Sequence, residues 1–334
     1  MLARDRITST NMAQRTPGAV RLLTINGSLN GDDAAREAIS RAWGLRFTDA
    51  HAALVWAELA VELAESSAVL ALAHAHVGNT LRICGRLTEA QQELDLAAKL
   101  QPEPTATLLE FRASLLEELG EFAESLAILR VAGRLRAKAG DADGEARVLA
   151  TKGHVLSEAG HHYEAAEAFQ RALELVDRDA DVIRAAAHGG AHALARCGQP
   201  YRALLILRET EPLFAEGNPL SALRVAWLLG RIGSQCKEDA FAIAQLEHAR
   251  LGFEGRGMMH EVCLIALDLA LHHTRYGRVQ TAHCLLEPLA PLLFELGIEA
   301  KAEFAAALKQ LLEGEIAVAV GQLDYLIAVV ENRS

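Results

Sequence analysis

His188 and His192 stand four residues apart, a spacing that sets two imidazoles on one face of a helix and within reach of a shared metal ion. No third ligand accompanies them at a supporting distance and neither belongs to an HExxH element, so the pair reads as polar lining and no metal site is expected. Cys84, Cys197, Cys236, Cys263 and Cys284 are scattered, odd in number and free of any CxxC pair. Such a set forms neither a disulfide framework nor a thiolate zinc site, and it suits a reducing, cytoplasmic setting. Cys84, Cys197 and Cys236 each occupy the same place in their own unit, which predicts small buried packing groups rather than nucleophiles. Glu117 and Glu118 are adjacent carboxylates with no recognisable pocket around them. The chain has no GxGxxG, GxxxxGK[ST] or GxSxG element. No cofactor is expected, and the reading is of a protein that is not an enzyme.

The elements carrying these residues are helices. The 334 residues are 51% hydrophobic and only 5% aromatic, with alanine and leucine dominant, a composition that packs helix on helix. A small–small–large–small pattern recurs with steps of twelve, four and three residues. It runs through Gly78, Ala90, Leu94, Ala97; Ala113, Ser125, Leu129, Ala132; Gly153, Ala165, Phe169, Ala172; and Ala191, Ala203, Leu207, Thr210. It continues with Gly230, Ala242, Leu246, Ala249; Ala270, Ala282, Leu286, Leu289; and Ala307, Ala319, Leu323, Leu326. A weaker copy precedes these at Ser40, Ala52, Trp56 and Leu59. Seven residues after the first small position comes a glycine in six copies: Gly85, Gly120, Gly160, Gly198, Gly277 and Gly314. Lys237 takes that place in the copy that begins at Gly230. Glycine ends a helix in the left-handed conformation at little steric cost, so each unit is predicted to be two antiparallel helices joined by a short turn. The small residues let the second helix approach, and the large one fills the space between neighbours.

Residues 71–102 resemble the tetratricopeptide repeat family through Leu81, Gly85, Leu87, Ala90, Leu94, Ala97 and Pro102. Residues 146–175 resemble it through Leu149, Gly153, Leu156, Gly160, Ala165, Phe169 and Ala172. The resemblance implies an all-α, right-handed superhelical solenoid of antiparallel helix pairs over residues 32–334. That span would hold about seven clear repeats and one degenerate N-terminal unit, after a flexible leader at residues 1–31. Most repeats exceed the family's usual length, and the additions are expected within residues 134–144 and 211–220. Long repeats of this kind are similar to the sensory and scaffolding arrays of bacterial regulators.

The resemblance also implies that the first helix of each unit lines a concave groove. That face would carry Ala75, Asn79 and Arg82, then Glu110, Ser114 and Glu117, then Arg147, His154 and Ser157. Farther along it would carry His188, His192 and Arg196, followed by Arg224, Trp227 and Arg231. The basic, imidazole-rich later part suits a protein or peptide bearing acidic side chains or a C-terminal carboxylate. Asn79 matches one asparagine of the family's two-carboxylate clamp, but Ala75 and Glu110 depart from it, so chaperone-tail binding is not expected. The alternative is the sensory part of a regulator, binding a small effector or signal peptide. An open charged groove would favour the scaffold, whereas a partly apolar cavity near Trp227 would favour the sensor.

Thirty-three Lys and Arg against forty-four Asp and Glu give a net charge of −11, which disfavours nucleic acid as a partner. Arg130, Arg134 and Lys138 form a local basic stripe read as a solvated face. The apolar stretches are broken by charges, so no membrane association is expected. The C-terminal segment, with Leu326, Val329 and Val330, would leave an apolar end available for homodimer formation.

Overall fold

The computed structural model describes residues 30–215 and 219–313. Every element in this range is an α-helix. The order is α1 (Gly31–Leu45), α2 (Ala50–Leu63), α3 (Ser67–Ile83), α4 (Leu87–Leu100), α5 (Ala106–Glu118), α6 (Phe122–Ala139), α7 (Ala142–Glu158) and α8 (His162–Leu175). There follow α9 (Ala180–Arg196), α10 (Pro200–Ala215), α11 (Pro219–Gln235), α12 (Asp239–Glu254), α13 (Met259–Arg275), α14 (Val279–Leu286), α15 (Leu289–Glu295) and α16 (Glu299–Glu313). The chain divides into two compact units between Ala186 and Ala187, a point inside α9. In the first unit α1 packs on α2, α3 on α4, α5 on α6 and α7 on α8. In the second, α11 packs on α12 and α13 on α14.

In the first unit the first helices begin at side-chain caps: Asn30 accepts from the Asp33 amide, Ser66 from Val69, Thr105 from Leu108 and Asp141 from Gly144, and α2 is capped likewise by Asp49. Second helices α4, α6 and α8 have no side-chain cap and leave directly from the turn. In that turn the Gly85 amide donates to the Arg82 carbonyl at 2.8 Å and the Arg86 amide to Leu81 at 2.9 Å. The same pair of bonds closes the turns at Gly120, Gly160, Gly198 and Gly277. Lys237 adopts the same left-handed conformation, with φ 61°, although it carries a Cβ. A non-glycine residue there costs about 1–2 kcal/mol, offset in part by the extra chain entropy that glycine loses on folding. Lys237→Gly is therefore expected to stabilise the second unit by up to about 1 kcal/mol. A rise in the urea midpoint followed by circular dichroism checks it, and a fall would contradict the assignment of strain to this turn.

The repeat pattern is the core. Ala90, Leu94 and Ala97, and the equivalent triplets in α6, α8 and α12, are at most 1% exposed. Gly153 shows why the first position is small: a Cβ there would stand 2.8 Å from three atoms of the Phe169 ring. At Gly230 a Cβ would meet Leu246 Cγ at 2.6 Å. Ser125 replaces alanine in α6 with no polar penalty, because its buried hydroxyl donates to the Ala113 carbonyl at 2.8 Å.

Several expectations need correction. The first copy sits one residue later than its sequence suggests: Ser40 is exposed, whereas Ala53, Ala57 and Ala60 are fully buried. Alanine at all three places blurred the large-residue signal that set the register elsewhere. Gly31 already begins α1 and is buried, so helix starts before the leader was expected to end. The last copy is out of phase. Ala307 is exposed while Ala305 and Leu308 are buried, because Pro288 splits the preceding helix into α14 and α15. Part of the length expected in residues 134–144 is taken up by α6, which runs eighteen residues to a left-handed Gly140. Cys84 and Cys197 are only half-buried, although Cys236 is buried as expected. Leu326, Val329 and Val330, with Gly314, Ala319 and Leu323, lie outside the described residues.

Candidate functional site

Among the described residues each unit holds a cleft lined mainly by its first helices. In the first unit a space of about 230 Å³ is lined by Asn79 and Arg82 of α3, Glu110, Phe111 and Ser114 of α5, and Arg147 and His154 of α7. The N-terminal end of α9 adds Asp179, Asp181 and Val182, and the C-terminal end of α1 adds Trp43, Arg46 and Phe47. The cleft thus gathers six residues expected on the groove face, Asn79, Arg82, Glu110, Ser114, Arg147 and His154.

Its floor is aromatic. Trp43 meets Phe111 with ring centroids 6.0 Å apart, and His76 stands edge-on to both, at 5.8 Å from Trp43 and 5.1 Å from Phe111. The Arg46 guanidinium lies 3.7 Å from the Trp43 ring centre and 4.5 Å from that of Phe47. Arg46 donates to the Trp43 carbonyl at 2.6 Å, while its contact with Asp181 is long, 3.4 Å. Arg147 donates to Asp179 at 2.6 Å, and Arg184 pairs with Asp181. Arg82 donates to Asn79 Oδ1 and to Glu118. Burial lowers the pKa of Arg46 and Arg82 from the usual guanidinium range, with neighbouring carboxylates opposing it. His154 packs edge-on against Phe169 at 4.9 Å, and burial pushes its pKa down.

Five placements differ from expectation, among them Ser157, which lines neither cleft. Ala75 is core, 1% exposed. Glu110 is buried and committed to Arg136, which donates to it at 2.8 Å and also pairs with Asp141. Burial raises the pKa of Glu110 against that pairing. Arg136 is therefore turned inward, unlike the exposed Arg130, Arg134 and Lys138. Glu117 and Arg196 line neither cleft. Glu117 has a pKa pushed up to about 7 by burial, opposed by Arg82 and reinforced by Glu158 and Glu118. Trp43, Arg46 and Phe47 were missed because they sit in the copy whose register was misread, at a turn without glycine. Asp179 and Asp181 precede or open α9 and carry no periodic signal.

The second unit's cleft, about 290 Å³, gathers His188, His192, Arg224, Trp227 and Arg231, together with Leu228, His260, Glu261 and Leu264. Trp227 is half-buried, and its indole N–H donates to Asp268 at 2.6 Å. Its ring lines the cleft and makes a T-shaped contact with Phe253. Among the described residues no three His, Cys, Asp or Glu side chains are arranged to hold a metal ion.

A third cluster joins residues one repeat apart. His272 is 1% exposed, with Nδ1 2.8 Å from Ser234 Oγ and Nε2 2.7 Å from Asp239. Arg278 donates to both oxygens of Asp239, and this hydrogen bonding holds the carboxyl well below its usual range. Serine, histidine and carboxylate in sequence invite comparison with an acyl-transfer triad. The space beside Ser234, about 30 Å³, admits a water molecule and not an acyl group. The cluster ties α11, α12 and α13 together, and burial lowers the His272 pKa against the opposing effect of Asp239.

No helix among the described residues is long and apolar enough to cross a membrane. No family model matches the sequence, and no curated protein does. Solved structures do. The apo form of RapI is similar over 90% of this chain and 87% of its own, with TM-score 0.64 and 14% identity. A Rap protein complexed with competence and sporulation factor is similar over 86% of this chain and 99% of its own, with TM-score 0.53 and 13% identity. A signal transduction ATPase from Pyrococcus horikoshii with a tetratricopeptide repeat sensor matches over 90% of this chain but 46% of its own, with TM-score 0.64 and 11% identity. By fold, the chain is a tetratricopeptide-like array of helical hairpins.

Proposed function

We propose that the chain is a non-enzymatic scaffold whose first-unit cleft binds a protein or peptide segment through a carboxylate. One observation carries the reading. Arg46, Arg82 and Arg147 converge on a space floored by Trp43 and Phe111, with Phe47 68% exposed at the same site. Arg46 is stacked in place, so little side-chain freedom remains to be lost on binding. Its long contact with Asp181 is a weak competitor for an incoming carboxylate. The similar fold complexed with competence and sporulation factor supports a peptide as the occupant. The net charge of −11 disfavours nucleic acid as the occupant. A reducing, cytoplasmic setting and self-association through Leu326, Val329 and Val330 belong to the same proposal.

Calorimetric titration with acidic and neutral peptides tests it. Acidic peptides are expected to bind, and Arg147→Gln to weaken them at least tenfold. Equal binding of neutral peptides, or no loss in the variant, would refute the carboxylate contact. A second reading, a sensory array for a small effector, is favoured by the partly apolar cleft beside Trp227 and by the tetratricopeptide repeat sensor of the Pyrococcus neighbour.

A further inference from the structure

The second unit's cleft combines a fixed aromatic wall with cationic groups one helical turn to either side. Arg224, Trp227 and Arg231 follow each other on α11 at three- and four-residue steps, so they share a face. Asp268 holds the Trp227 N–H, and Phe253 supports the ring with centroids 6.4 Å apart. The indole is thereby locked while still lining the cleft. Arg231 reaches Asp268 only at 3.6 Å, and Arg224 is exposed with no ion pair among the described residues. His188 and His192 of α9 and His260 of α13 add three imidazoles, against the carboxylates of Glu261 and Asp268.

A planar ring laid on Trp227 covers apolar surface, with Leu228 and Leu264 extending the contact. Arg224 and Arg231 leave α11 about one turn, ~5 Å along the axis, to either side of Trp227, and both side chains line the same cleft as its ring. A carboxylate suits that place, because guanidinium donors meet it in a planar fork. The volume of about 290 Å³ is at the small end for ligand sites and fits a one- or two-ring acid.

We propose that this cleft binds a planar aromatic acid, with its ring against Trp227 and its carboxylate at Arg224 or Arg231. The acid is either a free small molecule or the C-terminal residue of a peptide. The inference deepens the sensory reading and is independent of the first-unit cleft.

Titration calorimetry on the full chain with indole-3-acetate, indole-3-acetamide and acetate tests it. Indole-3-acetate is expected to saturate one site, the amide to bind at least tenfold more weakly, and acetate to give no signal at the same concentrations. Arg224→Gln, an exposed and unpaired position, is expected to weaken indole-3-acetate at least fivefold with an unchanged melting curve. Trp227→Phe keeps a supporting ring and is expected to weaken it less than Trp227→Leu does. A tripeptide ending in tryptophan, compared with its C-terminal amide, separates the sources. Tighter binding of the peptide acid than of indole-3-acetate assigns a chain terminus, and the reverse assigns a free acid. Equal affinity for acid and amide, indifference to Arg224→Gln, or no binding of either acid at millimolar concentration would overturn the proposal. Arg147→Gln serves as the control: loss of acidic-peptide binding there with indole-3-acetate unaffected tests the two clefts separately.

Discussion

Replacing Phe169 with alanine is expected to lower the unfolding free energy by about 3–5 kcal/mol, the range for emptying a fully buried aromatic site. Phe169 is 0% exposed and fills the gap between α7 and α8, with its ring over Gly153 and its edge against His154. The complementary change tests the same contact from the other side. Gly153→Ala places a methyl group 2.8 Å from the ring and is expected to cost about 1–3 kcal/mol through overpacking. In a Phe169→Leu background that cost should shrink. Alanine opposite leucine is the combination this chain already uses at Ala113 with Leu129 and at Ala270 with Leu286. Urea unfolding of the two single variants and the double variant gives the coupling. Additive effects would mean that the ring and the methyl never meet. Because neighbouring hairpins support each other pairwise, hydrogen exchange should rise most in α7 and α8. His154 loses its packing partner in Phe169→Ala, so peptide binding in the first cleft should weaken as well.

The same contact shows how far the sequence could be read. Where a large residue faces a small one, the spacing of twelve, four and three residues located the core of α3 to α8 and α11 to α14 to the residue. Where alanine fills both roles, as at Ala53, Ala57 and Ala60, size carries no phase and the register slipped by one. Proline produced the other error: Pro288 cuts a helix in two, and everything after it moves relative to the period. The clefts divide in the same way. Arg147, His154, Arg224, Trp227 and Arg231 lie on first helices whose phase was known, so they could be placed on a common face. Arg46 and Asp181 are 135 residues apart and meet only because stacked hairpins bring the end of α1 to the start of α9. No periodicity encodes that approach. The Ser234–Asp239–His272 cluster lay hidden for a related reason, since its members are ordinary polar residues until adjacent repeats put them in contact.

Acid should destabilise the first unit through His76. Burial depresses its pKa to about 4, and the nearby Arg46 charge acts in the same direction. The unfolded chain binds that proton near pH 6.5, so the native state holds fewer protons between these values. The contribution of the neutral imidazole is complete above about pH 6.5. It is lost as the pH falls towards 4, at about 1.4 kcal/mol per pH unit, or about 3 kcal/mol in total. His154 is also depressed by burial and adds to the same slope. Glu117, raised to about 7, works against it, because its buried acid form gains as the pH falls. His76→Phe isolates the term, since a phenyl ring can keep the edge contacts with Trp43 and Phe111 without a titrating group. Urea titrations at pH 7, 6, 5 and 4 should show the wild type losing about 3 kcal/mol more than this variant. Parallel pH profiles would mean that His76 finds a stabilising partner when protonated. The effect reaches the binding cleft directly. His76 props the Trp43 and Phe111 rings, so a charge forced beneath them, beside Arg46, should loosen the floor on which the arginines are stacked and weaken acidic-peptide binding below about pH 5.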